Sequence, residues 1–305
     1  MTDGGDRQGW RLVCLGLGYT AAALARRLGP RAAHIAGTAR SVEGVRGIEK
    51  QGWQGLLFDG ADVSPELAAV VSEATHVLLS AAPDDVGDPM LRSLGEHLAN
   101  APRLRWIGYL STVSVYGDHG GAWVDETTPP RDPGRRGQMR IDAENAWLAF
   151  GAQRGRRVDV FRLPGIYGPG RSAVDRLRAG AARRISKPGQ VFNRVHVDDI
   201  AAALEAAMAA PSAHEIYNVT DDEPAPADEV VAYAAGLLGI APPPLVRFED
   251  APFTPIARSF YDQSKRVSNR RMKDSLGVKL SYPTYREGMA AIAAVHATHG
   301  APQNS

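Results

Sequence analysis

Gly16, Gly18 and Ala21 stand at the spacing GxGxxA, directly after the apolar run Leu12-Val13-Cys14-Leu15 and directly before a helical pattern, YTAAALARRL. Small residues so placed between a strand and a helix can hold a pyrophosphate. The first permits the tight turn, the second lets the main chain approach phosphate oxygens, and the third lets the helix pack close to the strand. The free N–H groups and positive dipole end of the helix then face the anion. The expected cofactor contacts on this turn are Gly16, Gly18, Tyr19, Thr20 and Ala21. Gly29-Pro30 predicts the end of the helix. A second strand, HIAGTA (34–39), ends in Arg40-Ser41, and the first acid after it is Glu43, beyond the turn. An acid at the strand end would accept from the ribose 2′-hydroxyl of NAD, whereas an arginine there accommodates the 2′-phosphate of NADP. Arg40 and Ser41 therefore point to NADP rather than NAD.

A sheet must position these residues. Strand-like LLFD (56–59), THVLLSAAP (75–83) and LRWIGYLST (104–112) alternate with helical stretches at 65–73 and 90–99. Such alternation predicts right-handed βαβ crossovers and an α/β fold, a Rossmann-type doubly wound parallel sheet. With 305 residues, 44% of them hydrophobic and 23% charged, the chain is long enough for one large domain or one with an appendage. A net charge of +1 argues against nucleic acid or an anionic membrane as partner. The start, MTDGGDRQGW, lacks the basic and apolar regions of a secretory signal, and no apolar run reaches the ~18 residues of a span, so a cytoplasmic location is expected. Cys14, the one cysteine, lies inside the first strand and reads as a buried, inert thiol. His34 and His76 begin strands and read as structural; no spacing suits a metal, and none is expected.

From LSTVSVYG (110–117) onward the sequence resembles the extended and atypical short-chain dehydrogenases/reductases, the superfamily of NAD(P)-dependent epimerases and dehydratases. FRLPGIYGPG (161–170), NRVHVDDIAAAL (193–204), YNVTDDEP (217–224) and KRVSNRRMKDSLGVKLSYPTYREGM (265–289) resemble further segments of that family, in its order. The resemblance implies a dinucleotide-binding domain over 10–168 and 191–220, a small discontinuous substrate domain over 169–190 and 221–292, flexible tails at 1–9 and 293–305, and a homodimer as one possible assembly. It implies cofactor contacts at Asp59, at Ser80, Ala81 and Ala82, and at Leu163. The family's hydroxyl residue falls on Thr112, but its Tyr and its Lys four residues later fall on Arg136 and Arg140, in a helix expected over 137–150. An arginine stays charged and cannot shuttle a proton, although Arg140 can still bind ribose or phosphate. Tyr116 then stands as the surviving phenol and, with Thr112, as the expected catalytic pair. Tyr261 and Lys265 form a literal YxxxK late in the chain, read as coincidence.

His119, Tyr167, Arg194 and His196 are the expected substrate contacts. Lys265, Arg266, Arg270, Arg271 and Lys273 crowd nine positions; such runs are commonly solvated faces, yet near a pocket they suit an anionic substrate such as a sugar nucleotide. Two functions stay open: an NADP-dependent oxidoreductase or epimerase-like enzyme acting on a small sugar-nucleotide or keto substrate, and a non-enzymatic NADP-binding sensor or scaffold.

Overall fold

The computed structural model describes residues 9–211 and 216–299. Along strand β1 (Arg11–Leu15), Leu12 and Cys14 enter the apolar core on one face of a sheet while Val13 and Leu15 enter the core on the other. All four are buried, as a parallel strand covered on both faces requires. The sheet adds β2 (His34–Ala39), β3 (Gln54–Leu57), β4 (His76–Leu79), β5 (Trp106–Thr112), β6 (Val158–Leu163) and β7 (Ile216–Asn218), in the order β3-β2-β1-β4-β5-β6-β7. Every pairing in it is parallel. The fold is thus α/β and Rossmann-type. The order reverses direction between β1 and β4, so a crevice opens beyond the carboxyl ends of those two strands.

Helices α1 (Tyr19–Leu28), α2 (Val42–Glu49), α3 (Pro65–Ser72), α4 (Pro89–Asn100) and α5 (Gly134–Arg154) make the crossovers. They are followed by α6 (Ala173–Arg178), α7 (Val197–Ala209), α8 (Ala227–Leu237), α9 (Pro255–Ser259), α10 (Arg270–Leu276) and α11 (Tyr285–His299). Leu24 of α1, Ile200 and Leu204 of α7 and Met272 of α10 close over Phe161 and Tyr217 on one face. On the other, Leu67 and Val71 of α3, Leu94 of α4 and Trp147 of α5 cover Val77 and Tyr109. Local chemistry sets the helix starts: Ser64 accepts from Leu67 N–H at 3.1 Å and Asp88 from Met90 N–H at 2.9 Å, each followed by proline at the first helical position. Such a cap is worth about 1 kcal/mol. A third apolar cluster, off the sheet, joins Val174 and Leu177 of α6, Val230 and Val231 of α8, and Tyr285 and Met289 of α11 to Tyr167.

Two sequence boundaries are corrected. The helix expected over 137–150 starts at Gly134, after Pro133, and runs to Arg154, where Gly155 in left-handed conformation (φ +62°) ends it. Residues 293–299, expected as flexible tail, are the last two turns of α11, whose Ile292 is buried against the third cluster. Of the other tail positions, 1–8 and 300–305 lie outside the described residues and Gly9 is exposed, while Trp10, just after the first tail, is buried.

Candidate functional site

The turn after β1 is held by β2. Gly16 N–H donates to Thr38 Oγ1 at 2.8 Å and Leu17 N–H to the Thr38 carbonyl at 2.9 Å. Gly16 adopts φ +90°, a conformation that L side chains rarely take, and a Cβ there would stand 3.4 Å from Ala81 N. The glycine turn therefore faces the segment after β4, whose Ser80 N–H donates to the Leu15 carbonyl at 3.0 Å. Gly18 is the N-cap of α1, and a Cβ added there would meet nothing within 4 Å. No acid occupies the first turn of α1, while Arg26 and Arg27 occupy its last, so the helix offers an anion an uncontested positive end. Thr20 and Ala21 point into the protein. These residues fit a dinucleotide pyrophosphate: main-chain N–H groups, no side chain in the way, and a close-packed helix behind them.

Around the turn, the other expected cofactor contacts differ in how free they are. Arg40, exposed one residue past β2, makes no hydrogen bond or ion pair among the described residues. The Ser41 hydroxyl accepts from Gly44 N–H at 3.1 Å and caps α2. Asp59 is exposed and accepts from Ala61 N–H at 3.1 Å. Ser80 and Ala81 are half-buried beside Gly16, and Ala82 is exposed. Leu163 puts its side chain into the core, so that only its main chain is at hand. Tyr19 reaches away from the turn: its hydroxyl donates to the Pro169 carbonyl at 3.1 Å, and Arg171 lies over its ring.

Beyond the carboxyl ends of β5 and β6 lies a cavity of about 1890 Å³, lined among others by Thr112, Ser114, Arg136, Tyr167, Arg194 and Lys265. Thr112 Oγ1 accepts from Ser114 N–H at 3.2 Å and starts the short 3₁₀ turn Val113–Tyr116. Arg136 is exposed and lines the cavity. Arg140 sits deeper and is already engaged: Nη1 donates to Tyr109 Oη and to the Leu110 carbonyl, both at 3.0 Å.

Tyr116 is a correction. The expected acid is fully buried, does not line the cavity, and is locked in a polar network in which its hydroxyl donates to Asn218 Oδ1 at 2.8 Å and accepts from Arg162 Nη1 at 3.0 Å. Burial pushes the phenol up to about 12, further from any proton exchange near neutrality. Arg162 in turn holds Glu144 at 2.7 Å, and Ser111 Oγ donates to the same carboxylate at 2.5 Å. This network fastens β5, β6, β7 and α5 together and serves the fold.

Of the expected substrate contacts, Tyr167 and Arg194 line the cavity, and His119 and His196 do not. His119 places Nε2 3.0 Å from the Tyr116 carbonyl. His196 caps α7, its Nδ1 accepting from Asp198 N–H at 3.2 Å, with its ring 3.9 Å from that of Tyr282; burial lowers its proton affinity, with Asp198 opposing. Arg194 donates to the Phe192 and Ala225 carbonyls, each at 2.9 Å, and its charge acts on Asp221. Asp221 is 1% exposed, its Oδ2 has no hydrogen-bond partner, and burial raises its carboxyl to about 8 despite Arg194. The folded protein thus keeps a proton on Asp221 that the unfolded chain loses near pH 4, and raising the pH between those values weakens folding. Replacing Asp221 by Asn removes that dependence while keeping the acceptor for Glu223 N–H. The expected gain in melting temperature is larger at pH 8 than at pH 5, and thermal denaturation at the two values checks it.

The basic run divides into separate tasks. Arg266 donates to the Gly121 carbonyl, Arg271 to the Ile216 carbonyl at 3.1 Å, and Lys273 pairs with Asp222 at 2.5 Å. Lys265, read as part of a solvated face or a coincidental YxxxK, is 5% exposed and lines the cavity together with Tyr261. Its spacing from Tyr261 was visible in the sequence; its burial was not.

The model of the NAD-dependent epimerase/dehydratase family matches residues 90–220. A conserved protein of unknown function from Silicibacter pomeroyi DSS has a solved structure that superposes with a TM-score of 0.84 at 49% identity, over 93% of this chain and 98% of that one. Protein YeeZ of Escherichia coli (strain K12) is 28% identical over 284 residues, 90% of this chain and 96% of that protein. The 3-diazoavenalumate denitrifying reductase of a Streptomyces sp is 30% identical over 211 residues, 63% of this chain and 67% of that protein.

Proposed function

The chain belongs to the NAD-dependent epimerase/dehydratase family, and from that premise we propose that it is an NADP-dependent oxidoreductase, or an epimerase-like enzyme, acting on a small anionic substrate in the cavity beyond β5 and β6. The observation that carries this reading is the glycine turn: open space at Gly18, an N-terminus free of acids, and the unpaired Arg40 at the end of β2. When bound, the nicotinamide would supply or accept hydride. Thr112, whose oxygen already accepts from Ser114 N–H, directs its own proton to a substrate oxygen in the cavity. Arg136 meets the substrate at the cavity edge as a fixed positive charge, which suits an acidic ligand and not proton exchange.

Calorimetric titration with NADP and NAD tests the cofactor assignment. A charge-assisted contact of Arg40 with the 2′-phosphate is worth ~1.5–3 kcal/mol, a preference for NADP of roughly tenfold to a hundredfold. Arg40→Ala is expected to remove that preference and leave NAD affinity unchanged. Equal affinities in the parent protein would remove NADP from the reading, and binding of neither would remove the dinucleotide altogether.

A further inference from the structure

Lys265 is a buried ammonium that makes no contact ion pair among the described residues. Nζ donates to the Gly117 carbonyl at 2.5 Å and to Gln263 Oε1 at 2.8 Å, both neutral acceptors. Asp118, which lines the same cavity, acts on it through space, and its Oδ1 accepts from Ser264 N–H at 2.7 Å and Gly120 N–H at 3.2 Å. Buried charges in folded proteins are ordinarily paired, because an ammonium taken out of water and given only neutral partners is costly. Here the unpaired charge borders a cavity.

The wall beside it is apolar and aromatic. Phe192 meets Tyr261 edge to face at 5.0 Å, Phe253 lies 5.1 Å from Tyr261, and all three line the cavity with Ile185 and the exposed Phe260. An ammonium next to flat apolar surface suits an acid group carried on a planar body. Arg136 and Arg194 also line the cavity, and Arg194 is already engaged with the Phe192 and Ala225 carbonyls. We propose that the substrate of this cavity is an organic acid whose carboxylate pairs with Lys265 Nζ and whose planar apolar body lies against Phe192, Phe253, Phe260 and Tyr261. The inference rests on the reading of the cavity as the substrate site and names the class of molecule it takes.

Burial lowers Lys265 to about 8, with Asp118 opposing. Titratable and charged groups on the surrounding elements are Tyr261, Asp262 and Arg266 on its own segment, Lys187, which donates to the Tyr261 carbonyl, His119, whose main-chain N–H donates to the Ser264 carbonyl, Asp132 on the cavity lining, and Arg135 and Arg136 at the start of α5. Because the carboxylate pairs with the ammonium form alone, affinity falls as the pH rises through that value.

The test is calorimetric titration of the full chain with trans-cinnamate, benzoate and phenylpyruvate, with cinnamamide as the uncharged counterpart and UDP-glucose as the diphosphate, at pH 7 and pH 9.5. At least one acid is expected to bind, cinnamate at least about tenfold more tightly than its amide, with a loss of roughly tenfold or more at pH 9.5. Lys265→Met is expected to fold, since an apolar chain replaces a buried charge, and to lose both the discrimination and the pH dependence. Lys265→Arg is expected to keep binding and lose only the pH dependence. Equal affinity for cinnamate and cinnamamide, no binding of any of the three acids, or unchanged acid binding in Lys265→Met would each overturn the proposal. Tight UDP-glucose binding without acid binding would do so in favour of a nucleotide ligand. The acid comparison needs no variant and no dinucleotide, so failure of NADP to bind counts against the cofactor reading alone.

Discussion

Gly18→Val is expected to lower dinucleotide affinity by at least about a hundredfold while leaving the protein folded. The two halves of that expectation come from different observations. Gly18 has φ −94° and ψ −162°, extended backbone open to any residue, and a Cβ there would meet nothing within 4 Å, so the added side chain disturbs no packing. The cost to the fold is that of a poor helix cap, about 1 kcal/mol or less. The same open space is where the main chain must approach the pyrophosphate, and the branched side chain fills it and shields the N–H groups at the start of α1. Far-ultraviolet circular dichroism and a thermal melt report the fold, and titration with NADP reports the site. A valine variant that binds with parental affinity would show that the phosphates lie elsewhere.

The strand, turn and helix around Gly18 were legible in the sequence because they are contiguous. Strand, turn and helix occupy residues 11–28, and each small residue has a local reason to be small. The parallel sheet was legible for a related reason, since alternating apolar runs and amphipathic stretches report burial on two faces without reference to distant contacts. What failed was burial decided at long range. Tyr116 looked like a pocket phenol because the family resemblance implies that place for it, but its partners Arg162 and Asn218 arrive 46 and 102 residues later and hold the hydroxyl inside the protein. Lys265 looked like one charge in a basic run, whereas the turn at Gly117, 148 residues earlier, folds over its ammonium and leaves it at the cavity wall. Residues 293–299 follow the last segment that resembles the family and were read as tail; Ala293 packs against the third cluster and His296 Nε2 lies 3.0 Å from Asp175 Oδ1 of α6, contacts made by residues far away in the chain.

The network that removed Tyr116 from the cavity carries the second large expected effect. Arg162 and Glu144 expose only 11% and 3% of their side chains, and their ion pair at 2.7 Å ties the carboxyl end of β6 to α5. Arg162→Met leaves the Glu144 carboxylate buried with Ser111 as its remaining partner and takes a donor from Tyr116, at an expected cost of about 3–5 kcal/mol in urea denaturation. Removing both charges together, as Arg162→Met with Glu144→Leu, is expected to recover most of that loss, because an apolar pair of similar volume does not pay for desolvating two ions. Tyr116→Phe is expected to cost about 1–3 kcal/mol, since Asn218 Oδ1 and Arg162 Nη1 each lose a partner inside the protein. NADP affinity is expected to stay at the parental value in Tyr116→Phe, and the stability and binding measurements together separate a structural phenol from a catalytic one. A Tyr116→Phe protein of undiminished stability would mean that the hydroxyl is not held in this network and would return it to consideration as an acid. A double variant no more stable than Arg162→Met would mean that the pair itself, and not the stranded carboxylate, supports the fold.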